Sequence, residues 1–144
     1  MATERTASVV WQGDLLNGSG TIQSVTSRAL GPLDVTWASR SEEANGRTSP
    51  EELIAAAWAS CLSMALSSGL AKASTPPEKL DTSVTVSFQP GEGIVSAALT
   101  VRGTVPGLDE DGFRAAAETA KDNCPVSKAL AGIPAVTLDA QLAS

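Results

Sequence analysis

The stretch Ser49-Pro50-Glu51-Glu52-Leu53-Ile54-Ala55-Ala56-Ala57-Trp58-Ala59-Ser60-Cys61-Leu62-Ser63-Met64-Ala65-Leu66 decides the fold, because it reads as one long helix. Ser49 suits the N-cap and Pro50 the first helical position, where a missing N–H costs nothing. Glu51 and Glu52 then fall in the first turn, where the helix dipole favours negative charge. From Leu53 to Ala71 no residue is charged. The pattern therefore predicts a helix buried nearly all round, the central element of the core. A membrane span needs about 20 apolar residues. This run is mostly alanine and serine and lies mid-chain between strand-like polar segments, so it is read as a core helix with no membrane role.

Strands flank the helix on both sides. Residues 6–12 read as a first strand, Asn17-Gly18-Ser19-Gly20 as a turn, and 21–26 as a second strand. In residues 33–40 Leu33, Val35 and Trp37 alternate with Thr36, Ala38 and Arg40, which predicts a third strand with Arg40 pointing away from Trp37. Ser74-Thr75-Pro76-Pro77 ends the helix. Residues 82–88 alternate with period two, Pro90-Gly91-Glu92-Gly93 turns the chain, and 94–102 forms the hairpin partner. Asp109, Glu110 and Asp111 cap a helix with Phe113, Ala116, Ala117 and Ala120 on one face, which stops near Asn123. Cys124-Pro125 opens a short helical piece over 126–130, and Val136, Leu138, Ala140 and Leu142 alternate in a last strand. The order β-β-β-α-β-β-α-β predicts an α+β protein with mostly antiparallel sheet around the long helix.

The chain of 144 residues suits one domain, 1–144, with a real core. A net charge of −6 argues against nucleic acid or an anionic membrane as the main partner. Met1-Ala2-Thr3-Glu4-Arg5 has no apolar h-region, so a cytoplasmic location is expected. There, two cysteines do not form a permanent structural disulfide. The sequence has no histidine, which removes Ser-His and Cys-His nucleophile pairs and histidine metal sites. Two cysteines are also too few for a closed thiolate zinc site, so no metal and no cofactor are expected. Carboxylate, lysine, arginine and thiol chemistry remain.

A functional cysteine needs a stabilised thiolate. The residue before proline is pushed into an extended conformation, so Cys124 falls at a helix N-cap, facing free N–H groups. Two readings stay open there: a reactive thiol, or a small capping residue. Cys61, in mid-helix, is either an inert apolar residue or a nucleophile whose thiolate is held by a cation from another element. Arg40 is the candidate cation, and Glu51 is the nearest carboxylate for that arginine.

Glu51 and Cys61 are ten residues apart, hence roughly 15 Å apart along a straight helix, and cannot touch within one chain. Glu51, Ile54, Trp58 and Cys61 follow the spacing of a packing seam whose midpoint is Ala55-Ala56-Ala57. An antiparallel copy crossing at those alanines would place Glu51 of one chain near Cys61 of the other. A two-fold homodimer with paired sites at its interface is the expectation.

Pro50-Glu51-Glu52-Leu53, Ala59-Ser60-Cys61 and Asn123-Cys124-Pro125-Val126-Ser127 carry a family pattern. So do Trp11-Gln12-Gly13-Asp14, Gly18-Ser19-Gly20-Thr21, Val105-Pro106-Gly107 and Thr137-Leu138-Asp139. In these the chain resembles the OsmC/Ohr family, the osmotically inducible protein C and organic hydroperoxide resistance proteins, and is closer to the OsmC branch. The resemblance implies a cytoplasmic thiol-dependent peroxidase of the oxidative stress response, in an intertwined homodimer. Its substrates would be organic hydroperoxides and, more weakly, hydrogen peroxide, and an external thiol or dithiol would be its reductant. By position Cys61 matches the peroxidatic cysteine, Cys124 the resolving one, Arg40 the arginine that holds the thiolate, and Glu51 its partner. Trp58 departs from the family, where OsmC proteins often carry histidine and Ohr proteins tyrosine, and this bears on substrate preference. Two other functions compete: thiol–disulfide exchange without peroxide, and a dimer that binds a small ligand with its cysteines as bystanders.

Overall fold

The computed structural model describes residues 1–143. Its contacts divide the chain into two compact units, Met1–Leu53 and Ile54–Ser144. The first holds β1 (Ala7–Gln12), β2 (Ser19–Val25), β3 (Leu33–Val35), α1 (Trp37–Ser41) and the start of α2 (Pro50–Lys72). The strands form an antiparallel sheet in the order β1-β2-β3, with Trp11 opposite Gly20 and Ile22 opposite Val9 and Leu33. Gly20 lets the strands close up, since a Cβ there would meet the Trp11 ring at 2.7 Å and Val35 at 2.9 Å. β1 is solvent-exposed along its whole length, with Val9, Val10 and Trp11 uncovered.

The predicted third strand is corrected. It stops at Val35, and Trp37–Ser41 turns into a short helix that carries Arg40. Thr36 and Ser39 form a reciprocal cap: the Thr36 hydroxyl accepts from Ser39 N at 3.0 Å, and the Ser39 hydroxyl accepts from Thr36 N at 2.9 Å. These two bonds satisfy donors that a strand would have left to the ladder, so capping overrides the period-two alternation.

The second unit holds the rest of α2, β4 (Lys79–Gln89), β5 (Gly93–Thr104), α3 (Glu110–Asn123), α4 (Pro125–Ala129) and β6 (Ala135–Leu142). β4 and β5 form the predicted antiparallel hairpin. β6 joins β5 in parallel, reached by a crossover through α3 and α4, as a parallel pairing requires. The fold is therefore α+β with one parallel pairing added to antiparallel sheets. α3 starts at the predicted cap, with the Asp109 carboxylate accepting from Gly112 N at 2.8 Å. Its Phe113 ring lies over Gly103 of β5, where a Cβ would come within 2.5 Å.

Only one helix among the described residues, α2, is long and apolar enough to cross a membrane. Its Trp58, Leu62, Leu66 and Leu70 recur every fourth residue as a single stripe and join Leu99, Val101 and Phe113 in the core. The opposite face, Ala56, Ala57, Ser60, Met64, Ser68 and Ala71, is exposed, with Met64 at 72%. Burial nearly all round is therefore not met within one chain: alanine and serine kept charge off a face that the core does not cover. α2 ends as predicted before Pro76, with Ser74 in the left-handed region at φ 64 and Thr75 N donating to Leu70 O at 2.9 Å.

Candidate active site

In the first unit the site is an ion pair built by local capping. The buried Ser39 hydroxyl donates to Thr48 O at 2.9 Å and so fastens α1 to the loop ahead of α2. Ser49 caps α2, accepting from Glu52 N at 3.2 Å, and Thr48 holds the Glu52 carboxylate at 2.9 Å. One turn of helix is thus pinned from both sides. Arg40 Nε donates to Glu51 Oε1 at 2.9 Å and to Oε2 at 3.2 Å. The Glu51 side chain is 8% exposed and that of Arg40 33% exposed. A carboxylate so deeply buried needs a charged partner, and Arg40 supplies it. The sequence expectation that these two residues pair is met, although Arg40 comes from a helix and not from a strand.

In the second unit both cysteines are free thiols. Cys124 is fully buried at the junction of two helices. Its N–H donates to Ala120 O at 2.8 Å as the C-cap of α3, while its extended backbone and Pro125 make it the N-cap of α4. Half-buried Cys61 comes from the middle of α2, and its thiol and that of Cys124 shift each other's ionisation. Burial and the Cys124 thiol push the Cys61 thiol up, and the Val126 N–H only partly offsets them. Burial also works to raise Cys124. There it is outweighed by the Cys61 thiol, by the N–H and hydroxyl of Ser127 and by the Val126 N–H, which hold Cys124 below the ordinary thiol range. The Cys124 sulfur makes no capping hydrogen bond of its own. The N–H groups of α4 therefore favour its charge mainly by facing it, as a helix N-terminus does.

Within this chain, then, the surroundings lower the Cys124 thiol and raise that of Cys61, in accord with the N-cap position of Cys124. The Cys61–Cys124 proximity was implied only by the family resemblance, because 63 residues separate the two positions. Ser127 carries the most weight among residues whose role the sequence reading did not assign. Trp58, on the packing seam of α2, lies in the core of its own chain, where Nε1 donates to Ser127 Oγ at 2.7 Å. Leu62 is likewise wholly core. Trp58 and Ser127 line a cavity of about 430 Å³ together with Lys128, Leu130, Ile133 and Val136. Among the described residues no three histidine, cysteine or acidic side chains cluster as metal ligands.

Two free thiols that shift each other's ionisation, one at a helix N-terminus, define a protein with a dithiol site on an α+β fold. The family described as OsmC-like protein matches residues 43–139. Peroxiredoxin OsmC of Escherichia coli (strain K12) is 39% identical over 147 aligned residues, covering 100% of both chains, and Peroxiredoxin OsmC of Shigella flexneri matches equally. An organic hydroperoxide resistance protein OsmC from Legionella pneumophila superposes with a TM-score of 0.67 at 25% identity, over 96% of this chain and 97% of the other. An OsmC like protein from Mycoplasma pneumoniae shares the fold at a TM-score of 0.73, with 16% identity and 100% of both chains covered. The chain belongs to the OsmC family.

Proposed function

We propose that this protein is a thiol peroxidase that reduces organic hydroperoxides, and hydrogen peroxide less well, with Cys61 as the attacking thiol and Cys124 as the resolving one. The observation that carries the reading is the pair of free thiols, Cys61 and Cys124, which shift each other's ionisation. The name Peroxiredoxin OsmC of the E. coli relative, full-length at 39% identity, supports peroxide chemistry.

The Cys61 thiolate attacks one oxygen of the hydroperoxide. The O–O bond breaks, the other oxygen leaves as alkoxide and takes a proton to become the alcohol, and Cys61 becomes a sulfenic acid. Cys124 then attacks that sulfur, water leaves, and a disulfide forms. An external dithiol supplies two electrons and two protons through a mixed disulfide and restores both thiols. Cys124, held below the ordinary thiol range, is the better leaving group in that last step.

For Cys61 to attack, its thiolate needs a cation, since its own surroundings push the thiol up. Arg40, oriented by Glu51, is the group proposed for this role, supplied by the second chain of a two-fold homodimer with its active sites at the interface. The uncovered face of α2 and the exposed apolar residues of β1 support such an assembly. In it each whole chain, 1–144, acts as one OsmC-like unit. Two free thiols suit a reducing cytoplasm.

The test is consumption of cumene hydroperoxide by purified protein with a dithiol reductant. Wild type should turn over, Cys61→Ser should be inactive, and Cys124→Ser should stall or overoxidise after its first turnover. If all three proteins consume no hydroperoxide, the peroxidase reading fails. Reduction of protein disulfides without hydroperoxide consumption would replace it by thiol–disulfide exchange.

A further inference from the structure

We propose that Trp58 and Ser127 form a hydrogen-bond relay that aims the Ser127 hydroxyl proton at the Cys124 sulfur, making both of them positioning residues for that thiolate. An indole N–H can only donate. At 2.7 Å from Trp58 Nε1, Ser127 Oγ must therefore act as acceptor, and its own proton is left to be donated elsewhere. Ser127 is the third residue of α4, and a side chain at that position reaches back toward the N-cap, here Cys124. In the usual capping arrangement such a side chain accepts from the N-cap backbone N–H. That N–H is already spent on Ala120 O at 2.8 Å, which leaves the sulfur as the group of the N-cap residue open to the Ser127 hydroxyl, one of the influences that lower the Cys124 thiol.

The two ends of the relay are buried, while Ser127 between them is half-buried. Trp58 is 1% exposed and Cys124 fully buried, so water does not readily stand in for a lost donor. The ring of Trp58 is clamped in the core stripe of α2 beside Leu62, which fixes the direction of its N–H. A hydroxyl that accepts from one side donates more strongly on the other, because hydrogen bonds in a chain polarise one another. The bond to Ser127 and the N–H groups of α4 then act together on one sulfur. Trp58, which does not approach the chemistry through its ring, acts on it through its nitrogen.

Only the name "resolving" for Cys124 rests on the proposed peroxidase function; the relay itself does not. The test therefore uses no hydroperoxide. In a Cys61→Ala background Cys124 is the sole thiol, and its ionisation is followed by thiolate absorbance against pH. Trp58→Phe keeps the ring and removes the N–H, and Ser127→Ala removes the hydroxyl. Each should move the midpoint up by about half to one pH unit. Ser127→Thr should hold it near the parent value. The Trp58→Phe/Ser127→Ala double variant should shift no further than Ser127→Ala alone, because both changes cut the same relay. An unchanged midpoint in Trp58→Phe, an unchanged midpoint in Ser127→Ala, or additive shifts in the double variant would each overturn the relay. Circular dichroism on every variant separates these results from misfolding. The serine variants carry the decision if Trp58→Phe does not fold: the relay then stands if alanine raises the midpoint while threonine does not, and falls otherwise. An inactive protein with this titration pattern would sink the peroxidase reading and leave the relay intact.

Discussion

Removing Arg40 should destabilise the protein more than neutralising Glu51, although the two share one ion pair. The asymmetry follows from exposure: the Glu51 side chain is 8% exposed and that of Arg40 is 33% exposed. Arg40→Met leaves a buried carboxylate with no counter-charge, which costs about 3 kcal/mol, the lower end for breaking a buried pair because water can follow the vacated arginine. Glu51→Gln leaves a charge that can turn to solvent and an amide oxygen that still accepts from Nε. It should cost about 1–2 kcal/mol, the worth of the charge assistance in that bond. Coulomb attraction at about 4 Å and an effective dielectric near 20 is ~4 kcal/mol before desolvation is deducted, so a coupling of about 1–2 kcal/mol between the two changes is reasonable. The assay is urea unfolding followed by tryptophan fluorescence, at one fixed protein concentration because association adds to apparent stability. With a slope of ~2 kcal/mol per molar urea, Arg40→Met should lower the midpoint by about 1.5 M and Glu51→Gln by about 0.5–1 M. The double variant should be clearly less destabilised than the sum. Equal losses from both single variants, or strict additivity, would refute this account of the pair.

Four further outcomes are expected. In Arg40→Met the two thiols should titrate in separate steps, Cys124 below the ordinary thiol range and Cys61 above it. In wild type an arginine reaching Cys61 brings its step down, so identical titrations of the two proteins would exclude Arg40 from that role. The sign for stability runs with Cys124: a thiol lowered by folding stabilises the fold above its unfolded value, and that contribution is lost as pH falls through the folded value. Leu62→Ala, at a fully buried position, should cost about 2–5 kcal/mol in the same urea assay. Met64→Lys, at a position 72% exposed, should cost the chain less than about 0.5 kcal/mol yet weaken the proposed homodimer, as read by sedimentation. A fully dimeric Met64→Lys at low micromolar concentration would remove that face of α2 from the interface.

Local chemistry made much of this protein legible from its residues alone. Ser49, Pro50 and the two glutamates mark the start of α2, Asp109 the start of α3, and Cys124-Pro125 the start of α4, because caps act within three residues of their own backbone. Period-two alternation marks the β4–β5 hairpin, and charge balance pairs Arg40 with Glu51. Alternation misled at residues 36–41, where Thr36 followed three positions later by Ser39 was the available signal for a helix. Tertiary structure alone decided the remainder. It chose which face of α2 the core covers, laid β6 parallel to β5, and brought Trp58 to Ser127 across 69 residues. It also decided which of two chemically identical thiols is lowered and which is raised. A thiol's charge is set by the donors and the burial around the sulfur, and those arrive from elements distant in sequence, whereas a cap is set by its immediate neighbours.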